Sequence, residues 1–213
     1  MNVKDMLRQA SDAAKQLITL SDQTIIGILK ETAQVLRTHT EEVLAANRQD
    51  LERMDPANPK YDRLKLTEER LQGIAADMEN VSTLPSPLNK VLSETIRPNG
   101  MVIRKVTVPF GVIGVIYEAR PNVTFDVFSL CFRSGNVCVL KGGSDADFSN
   151  RALVRIIHSV LERQGINPAV CTLLPPDREA TAELLGAVGL VDLIIPRGSS
   201  SCLLYTSPSP RDS

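Results

Sequence analysis

The spacing of hydrophobic residues changes near Met101 and divides the chain into two parts. From Val3 to about Asn47 apolar residues recur every three or four positions, as in amphipathic helices, and the simplest prediction is two helices in succession. The run Asp55–Lys65 holds prolines and charges and predicts a loop, after which a third helix is predicted from Thr67. The residues that support these helices are the expected Ser21 cap, the stripe of Ile25, Leu29, Thr32 and Leu36, and the terminating Pro85 and Pro87.

Beyond Met101 short β-branched runs alternate with helical segments. The runs VIRKVTV and GVIGVIYE predict two strands joined by a turn at Pro109–Gly111. Further strands are predicted at Asn136–Leu140, Ala169–Leu174 and Val191–Ile195, with helices between them. Because strand and helix alternate, the region 101–198 is predicted to be an α/β unit with a doubly wound, Rossmann-like parallel sheet.

The last residues of the chain interrupt this alternation. A helix is due after the strand that ends at Ile195, but Pro208 and Pro210 do not allow one there. Residues 201–213 are therefore predicted to be disordered or foreign to the fold, as in a truncated or chimeric reading frame. The sheet is then expected to be incomplete and to expose an apolar edge.

Composition narrows the classes of partner. The 213 residues carry 24 basic and 25 acidic side chains, a net charge of -1, without a basic block, so no nucleic-acid partner is expected. Four cysteines without CxxC spacing and two histidines predict no metal site. Three of the cysteines lie in apolar runs, as buried free thiols do in a reducing compartment, which favours the cytoplasm. No segment has the pattern of a signal peptide or a membrane span.

Candidate chemistry lies just after the predicted strands, because ligands of open α/β sheets bind at the carboxyl ends of the strands. The segments concerned are polar or rich in glycine: Glu118–Asn122, Lys141–Ser144 and Pro196–Ser199. Neither the GxGxxG fingerprint nor the phosphate-binding GxxxxGK[ST] loop is present, which argues against a standard dinucleotide fold and against an ATPase.

Three residues in these segments each allow two interpretations. Lys141, followed by two glycines, suits a nucleotide, although a solvated lysine before a turn is the more frequent arrangement. Asn122 is either the N-cap of the following helix or an amide donor in an oxyanion hole. Arg120 either pairs with a surface acid such as Glu118 or holds a carboxylate or phosphate in a bidentate grip.

A family resemblance bears on these alternatives. The run VPFGVIGVIYEARPNVTFDVFSLCFRSGNVCVLKGGSDADFSN resembles γ-glutamyl phosphate reductases of the aldehyde dehydrogenase superfamily, and LAANRQDLE and DLIIPRGSS match further segments of that family. The resemblance implies an aldehyde dehydrogenase-like fold in which residues 1–200 form a cofactor-binding domain. Its helical amino-terminal part would cover residues 1–84 and its α/β part residues 101–200, and residues 201–213 match nothing in the family.

The resemblance also implies roles for individual residues. Asn122 falls on the oxyanion-hole asparagine of the superfamily, and Lys141 on the lysine that contacts the adenosine ribose. Gly142, Gly143 and Ser144 follow at the cofactor, Gly198 falls in a glycine turn below it, and Arg120 is the candidate for a substrate anion. Relatives that prefer NAD often carry a glutamate three residues after the lysine, whereas this chain has Ser144, which favours NADPH.

The implied reaction is the NADPH-dependent reduction of γ-glutamyl phosphate (L-glutamate 5-phosphate) to L-glutamate 5-semialdehyde and phosphate in proline synthesis. It proceeds through a cysteine thiolate that this chain is expected to lack, so the chain alone is expected to be inactive. Association into homo-oligomers and with glutamate 5-kinase is implied for the full-length enzyme. Two alternatives stay open: an aldehyde dehydrogenase of another acyl specificity, and a short nucleotide-binding module without catalysis.

Overall fold

Eight α-helices and six strands occupy residues 2–197, the part of the chain that this computed structural model describes. The helices are α1 (Val3–Leu17), α2 (Asp22–Thr38), α3 (Thr40–Glu52), α4 (Tyr61–Leu64), α5 (Glu68–Thr83), α6 (Asn122–Arg133), α7 (Asp147–Arg163) and α8 (Arg178–Leu185). The strands are β1 (Val91–Ile96), β2 (Val102–Val106), β3 (Val112–Tyr117), β4 (Val137–Lys141), β5 (Cys171–Leu173) and β6 (Leu193–Arg197). Gly198 and the predicted tail 201–213 lie outside the described residues.

A four-stranded parallel sheet in the order β5-β4-β3-β6 confirms the predicted α/β fold. Every residue of β3 and β4 is buried, as their continuous apolar runs predict for strands covered on both faces. Helices α6 and α7 contact each other and cover one face, while α8 contacts α1 on the other. Helix α1 packs beside α8 and also contacts β3, β4 and β5, so the amino terminus of the chain closes the second face.

The other amino-terminal helices form a second layer outside α6 and α7. Helix α2 contacts α5, α6 and α7, while α3 contacts α7. Helix α6 buries three aromatic side chains between these layers: Phe125, Phe128 and Phe132. The ring centroids of Phe128 and Phe132 lie 5.2 Å apart in a stacked arrangement. The sequence signals for two helix starts are confirmed, since Ser21 and Thr67 accept hydrogen bonds from the backbone of Thr24 and Arg70.

The prediction of two helices in the first part of the chain was wrong, because the structure has three. Residues 3–47 fall within three helices and not two, because the backbone at His39 leaves helical geometry (φ -109°, ψ 20°) and α3 starts afresh at Thr40. The run Asp55–Lys65, predicted to be a loop, contains the single turn α4.

The two strands predicted on either side of Pro109–Gly111 belong to different sheets. Strand β2 pairs antiparallel with β1, a strand that the sequence analysis missed, whereas β3 lies in the parallel sheet. The chain passes from one sheet to the other at Gly111, whose φ of +118° favours glycine. A side chain is also excluded there, because an added Cβ would come within 2.2 Å of Asp192 Oδ2. All residues of the β1–β2 hairpin are exposed.

A buried polar joint fixes the position of α7 against α3. The Asp50 carboxylate accepts hydrogen bonds from the backbone N–H of Phe148 (3.1 Å) and Ser149 (2.7 Å), and from the Ser149 hydroxyl (2.6 Å). It thereby caps the first turn of a helix that has no N-cap side chain of its own. Burial raises the pKa of Asp50 above its ordinary value, although the hydrogen bonds from Ser149 and Phe148 oppose the rise.

Within residues 2–197 no helix has both the length and the apolar content needed to cross a bilayer.

Candidate functional site

A cleft of about 720 Å³ opens at the carboxyl ends of β3 and β4, where the fold predicts a ligand site. Lys141, Gly143 and Ser144, which were singled out from the sequence, line it. The other lining residues come from the end of β3 and the connection after it, from α8, and from Lys60 at the start of α4 and Asp145 before α7. They are Lys60, Ile116, Tyr117, Glu118, Ala119, Asp145, Arg178, Thr181, Ala182 and Leu185. The parallel sheet thus brings together segments that are far apart in sequence.

Lys141 is not the solvated lysine that its residue type favours. It is only 6% exposed, and its ammonium donates hydrogen bonds to the backbone carbonyls of Gly142 (3.0 Å) and Pro176 (3.2 Å). The two carbonyls belong to the segments that follow β4 and β5, so the ammonium bridges these segments and is held at the wall of the cleft. A buried, oriented cation at this edge suits a ligand that carries hydroxyl or phosphate oxygens.

The two glycines after Lys141 have different reasons to be glycine. An added Cβ on Gly142 would lie 2.4 Å from Asn150 Nδ2, so packing inside the protein excludes a side chain there. An added Cβ on Gly143 would make only ordinary contact, 3.5 Å from the Glu118 backbone. Gly143 lines the cleft, whereas Gly142 faces the interior.

A chain of hydrogen bonds supports the floor of the cleft below Gly142. The Thr124 hydroxyl donates to Asn150 Oδ1 at 2.9 Å and accepts from the Tyr117 hydroxyl at 2.7 Å. Burial raises the pKa of Tyr117 well above its ordinary value, so the phenol stays protonated. Sequence reasoning passed over Tyr117, because an aromatic residue at the end of a buried strand carries no signal of its own.

Asn122 is the first residue of α6 and does not cap it. The N-cap is Pro121, without a side-chain cap hydrogen bond, and the Asn122 amide donates one long hydrogen bond to Asp126 Oδ2 (3.4 Å). The N-cap interpretation of Asn122 is therefore wrong. Asn122 is half-buried and lines a second cleft of about 400 Å³.

Arg120 lines that second cleft and a third one of about 300 Å³. The structure shows no salt bridge or hydrogen bond between its guanidinium and the described residues, so pairing with Glu118 is not what holds it. The third cleft also contains Lys60, Arg63 and Arg197, and it shares Lys60, Tyr117, Glu118 and Ala119 with the large cleft. Because neighbouring clefts share lining residues, the three clefts are contiguous; together they are called the ligand edge below.

Sequence reasoning missed Lys60, Arg63 and Arg178 at this edge. Lys60 and Arg63 belong to the segment that was predicted to be a loop, and Arg178 is the first residue of α8. The cluster of basic residues between Pro59 and Arg70 was a usable signal, but only the fold shows that it faces the carboxyl end of β3.

The three described cysteines are buried, and none of them lines the three clefts. Burial raises the pKa of Cys131, and the neighbouring Cys171 thiol together with burial raises the pKa of Cys138. Cys202 lies outside the described residues. Within residues 2–197 no group of three or more His, Cys, Asp or Glu side chains is arranged to hold a metal ion.

Comparison with known proteins connects this geometry to a family. No protein-family model matches the chain. Over 205 residues, 96% of the chain, it is 98% identical to the γ-glutamyl phosphate reductase of Parabacteroides distasonis, of which it covers 49%. The chain belongs to the γ-glutamyl phosphate reductase family. The homologous enzyme of Bacteroides thetaiotaomicron is 60% identical over 210 residues. The chain spans about half the length of the curated relatives it matches.

Solved structures of γ-glutamyl phosphate reductases share the fold. The crystal structure from Thermotoga maritima matches with a TM-score of 0.93 at 30% identity, over 100% of this chain and 51% of that one. The structure from Saccharomyces cerevisiae matches with a TM-score of 0.88 at 25% identity, over 97% and 53%. A protein from Listeria monocytogenes described as a probable aldehyde dehydrogenase, 18% identical over 98% of this chain and 44% of its own, has a TM-score of 0.74, which supports the aldehyde dehydrogenase-like fold.

Proposed function

We propose that the full-length protein reduces γ-glutamyl phosphate to L-glutamate 5-semialdehyde and phosphate with NADPH, a step of proline biosynthesis. The observation that carries the proposal is the 98% identity to a γ-glutamyl phosphate reductase over 205 residues. Those residues include the whole ligand edge described above. An aldehyde dehydrogenase of different acyl specificity is disfavoured, because comparisons at 18% identity support the fold alone.

Asn122 is proposed to donate a hydrogen bond to the oxygen of the reacting acyl group. Attack on an acyl carbon places negative charge on that oxygen, and a fixed amide donor stabilises the charge most where water is excluded. Helix α6 holds Asn122 at its first residue, and the amide has only its 3.4 Å contact with Asp126 to give up. The side chain is therefore free to turn toward substrate at little cost.

The large cleft is proposed to hold the cofactor. Its volume of about 720 Å³ suits the adenosine part of a dinucleotide, and Lys141, Gly143 and Ser144 line it. Bound NADPH would supply the hydride. Lys141 would bind ribose or phosphate oxygens, Gly143 would admit close approach, and Gly142 would keep this turn in place from inside. An engineered glycolyl-CoA reductase with the same fold, 18% identical, was solved with NADP+ bound. Gly198 stays a predicted cofactor residue.

The nucleophilic thiol is proposed to come from a part of the full-length enzyme beyond residues 2–197. Covalent catalysis needs an accessible thiolate, and Cys131, Cys138 and Cys171 are buried. The proposal keeps the expected division into a cofactor-binding domain over residues 1–200 and a tail at 201–213. It likewise keeps a cytoplasmic location, homo-oligomer formation and association with glutamate 5-kinase.

Cofactor preference tests the proposal in the full-length Parabacteroides relative. The Kd of NADPH is expected to be lower than that of NADH, because Ser144 adds no carboxylate that would repel a 2′-phosphate at the third position after Lys141. Replacing Ser144 by Glu at the equivalent position should weaken NADPH binding about tenfold or more and leave NADH binding nearly unchanged, since the new carboxylate repels the phosphate. Replacing Ser86, which lies outside the cleft, by Glu is the matched control. Equal affinities of the unchanged enzyme for the two cofactors would refute the NADPH assignment.

A further inference from the structure

The arginines of the described chain fall into two groups. Eight of those within residues 2–197 form salt bridges with carboxylates: Arg8, Arg37, Arg70, Arg104, Arg133, Arg151, Arg155 and Arg163. The other seven arginines within residues 2–197 form none, and four of these line the clefts: Arg63, Arg120, Arg178 and Arg197. A guanidinium held in a cleft without an acidic partner is suited to an external anion.

The geometry points to a phosphoryl-binding site between Arg63 and Arg120, and we propose that it takes the phosphate of the acyl phosphate substrate. The proposal rests on the proposed function. The two arginines come from separate segments, α4 and the β3–α6 connection, and are the pair common to the clefts of about 300 and 400 Å³. A ligand where these clefts meet would touch both guanidinium groups.

Arg63 is held in place by the packing around it. The flanking Leu64 and Leu66 are buried, and the Asn47 side chain bonds to both backbones, donating to Leu64 O (2.9 Å) and accepting from Leu66 N (2.8 Å). The neighbouring carboxylate of Asp62 does not compete for Arg63, because Arg70 binds it at 3.2 Å. Arg63 is thus presented at the cleft on a fixed backbone with its charge available.

Charge in the third cleft favours a phosphate dianion. Lys60, Arg63, Arg120 and Arg197 face a single carboxylate, Glu118. Lys60 also lies 3.9 Å from Asp145, so Arg63 and Arg120 are the cations most available to a ligand. Two planar guanidinium groups can each bind a phosphate through paired N–H donors, which lysine cannot do.

Position relative to Asn122 distinguishes the phosphate from the α-carboxylate of the same substrate. The phosphate is bonded to the acyl carbon whose oxygen Asn122 is proposed to bind, so the phosphate binds beside Asn122. Arg120 precedes Asn122 by two residues, and both line the second cleft with Arg63. The α-carboxylate lies several bonds farther along the substrate from the acyl carbon and would therefore bind farther from Asn122.

The test uses the full-length Parabacteroides enzyme in the reverse direction, phosphate-dependent oxidation of glutamate 5-semialdehyde. Inorganic phosphate, semialdehyde and NADP+ are varied separately. Arg63→Gln and Arg120→Gln, at the equivalent positions, should each raise the KM for phosphate about ten- to a hundredfold, the loss expected for a charged hydrogen bond, and change the other two KM values less than twofold. Arg63→Lys, which keeps the charge but loses the paired donors, should give an intermediate KM. The control is Arg48→Gln on α3, an exposed arginine that lines neither cleft.

The outcomes separate this inference from the proposed function. A rise in the semialdehyde KM would assign the two arginines to the α-carboxylate, and a rise in the NADP+ KM would assign them to the cofactor. An unchanged phosphate KM would show that they do not bind phosphate. Each of these results would overturn this inference and leave the proposed function standing. An unchanged enzyme without activity would refute the proposed function instead. Thermal stabilisation by inorganic phosphate, present in the unchanged enzyme and lost in both variants, tests the site without turnover.

Discussion

At the scale of single residues, the weak local bonding of Asn122 makes its chemical role separable from its structural one. Replacing Asn122 by Ala in the full-length relative should lower kcat by roughly a hundred- to a thousandfold, the usual loss for one oxyanion donor. The melting temperature should hardly change, because the amide makes only a 3.4 Å contact with Asp126. Steady-state kinetics and thermal denaturation of the same variant measure both. Asn80→Ala on the exposed face of α5 is the control, and a variant with normal turnover would leave Asn122 without a catalytic role.

The two glycines after Lys141 provide a matched pair for separating fold from binding. Gly142→Ala should destabilise the protein by about 1–3 kcal/mol, because its Cβ would lie 2.4 Å from Asn150 Nδ2 and disturb the Asn150–Thr124–Tyr117 hydrogen bonds. Gly143→Ala should leave stability nearly unchanged, since its Cβ has 3.5 Å of room, and should weaken cofactor binding in the cleft. Urea denaturation and a cofactor titration of both variants check this. If the two variants behaved alike in both assays, the glycines would share one role.

At the scale of elements, the joint between α3 and α7 is expected to contribute strongly to stability. Asp50→Ala would leave the N–H groups of Phe148 and Ser149 and the Ser149 hydroxyl without their buried acceptor. The free energy of unfolding should fall by about 2–3 kcal/mol, the combined effect of a lost helix cap and unsatisfied buried donors. Asp12→Ala, at a carboxylate whose side chain is 75% exposed, should change it by less than about 0.5 kcal/mol. Chemical denaturation of the two variants measures the difference, and equal losses would show that the joint is dispensable.

Local patterns predicted the elements better than their partners. The starts of α2 and α5 follow from Ser21 and Thr67, which act within one turn, and the buried runs of β3 and β4 follow from their continuous apolar residues. The break at His39 has no proline or glycine to mark it. Strand β1 lies in a fully exposed hairpin, so burial imposes no alternating pattern on it, and the equally exposed β2 was predicted only from its β-branched residues.

The candidate site shows the same limit. Topology alone predicts that Lys141 and Asn122 lie at the carboxyl edge of the sheet, because Lys141 ends β4 and Asn122 begins the helix that follows β3. Lys60 and Arg63 reach that edge through packing of α4 against α3, which no spacing along the chain encodes. The burial of Lys141 depends in the same way on Pro176, a residue 35 positions away.

At the scale of the whole molecule, the 213-residue chain is expected to show no turnover on its own. Cys131, Cys138 and Cys171 are buried, and loss of the nucleophile in an enzyme that works by covalent catalysis typically costs on the order of a millionfold in rate. The phosphate-dependent oxidation of glutamate 5-semialdehyde should therefore not exceed a control without protein. Activity that disappears with Cys202→Ser would place the nucleophile at Cys202 and contradict this expectation.

The position of β6 beside β3 sets an order of events on the ribosome. Strand β3 cannot complete its pairing until β6 has been synthesised, and the bond from Val112 N–H to the Asp192 carboxylate spans 80 residues. At a synthesis rate of about 5–20 residues per second, the nascent chain carries an apolar, half-paired β3 for roughly 4 to 16 seconds. During that interval α6, α7 and β4 can already assemble, but the second edge of β3 stays open to other chains. Slowed translation between β3 and β6 should therefore increase the dependence of this protein on chaperones.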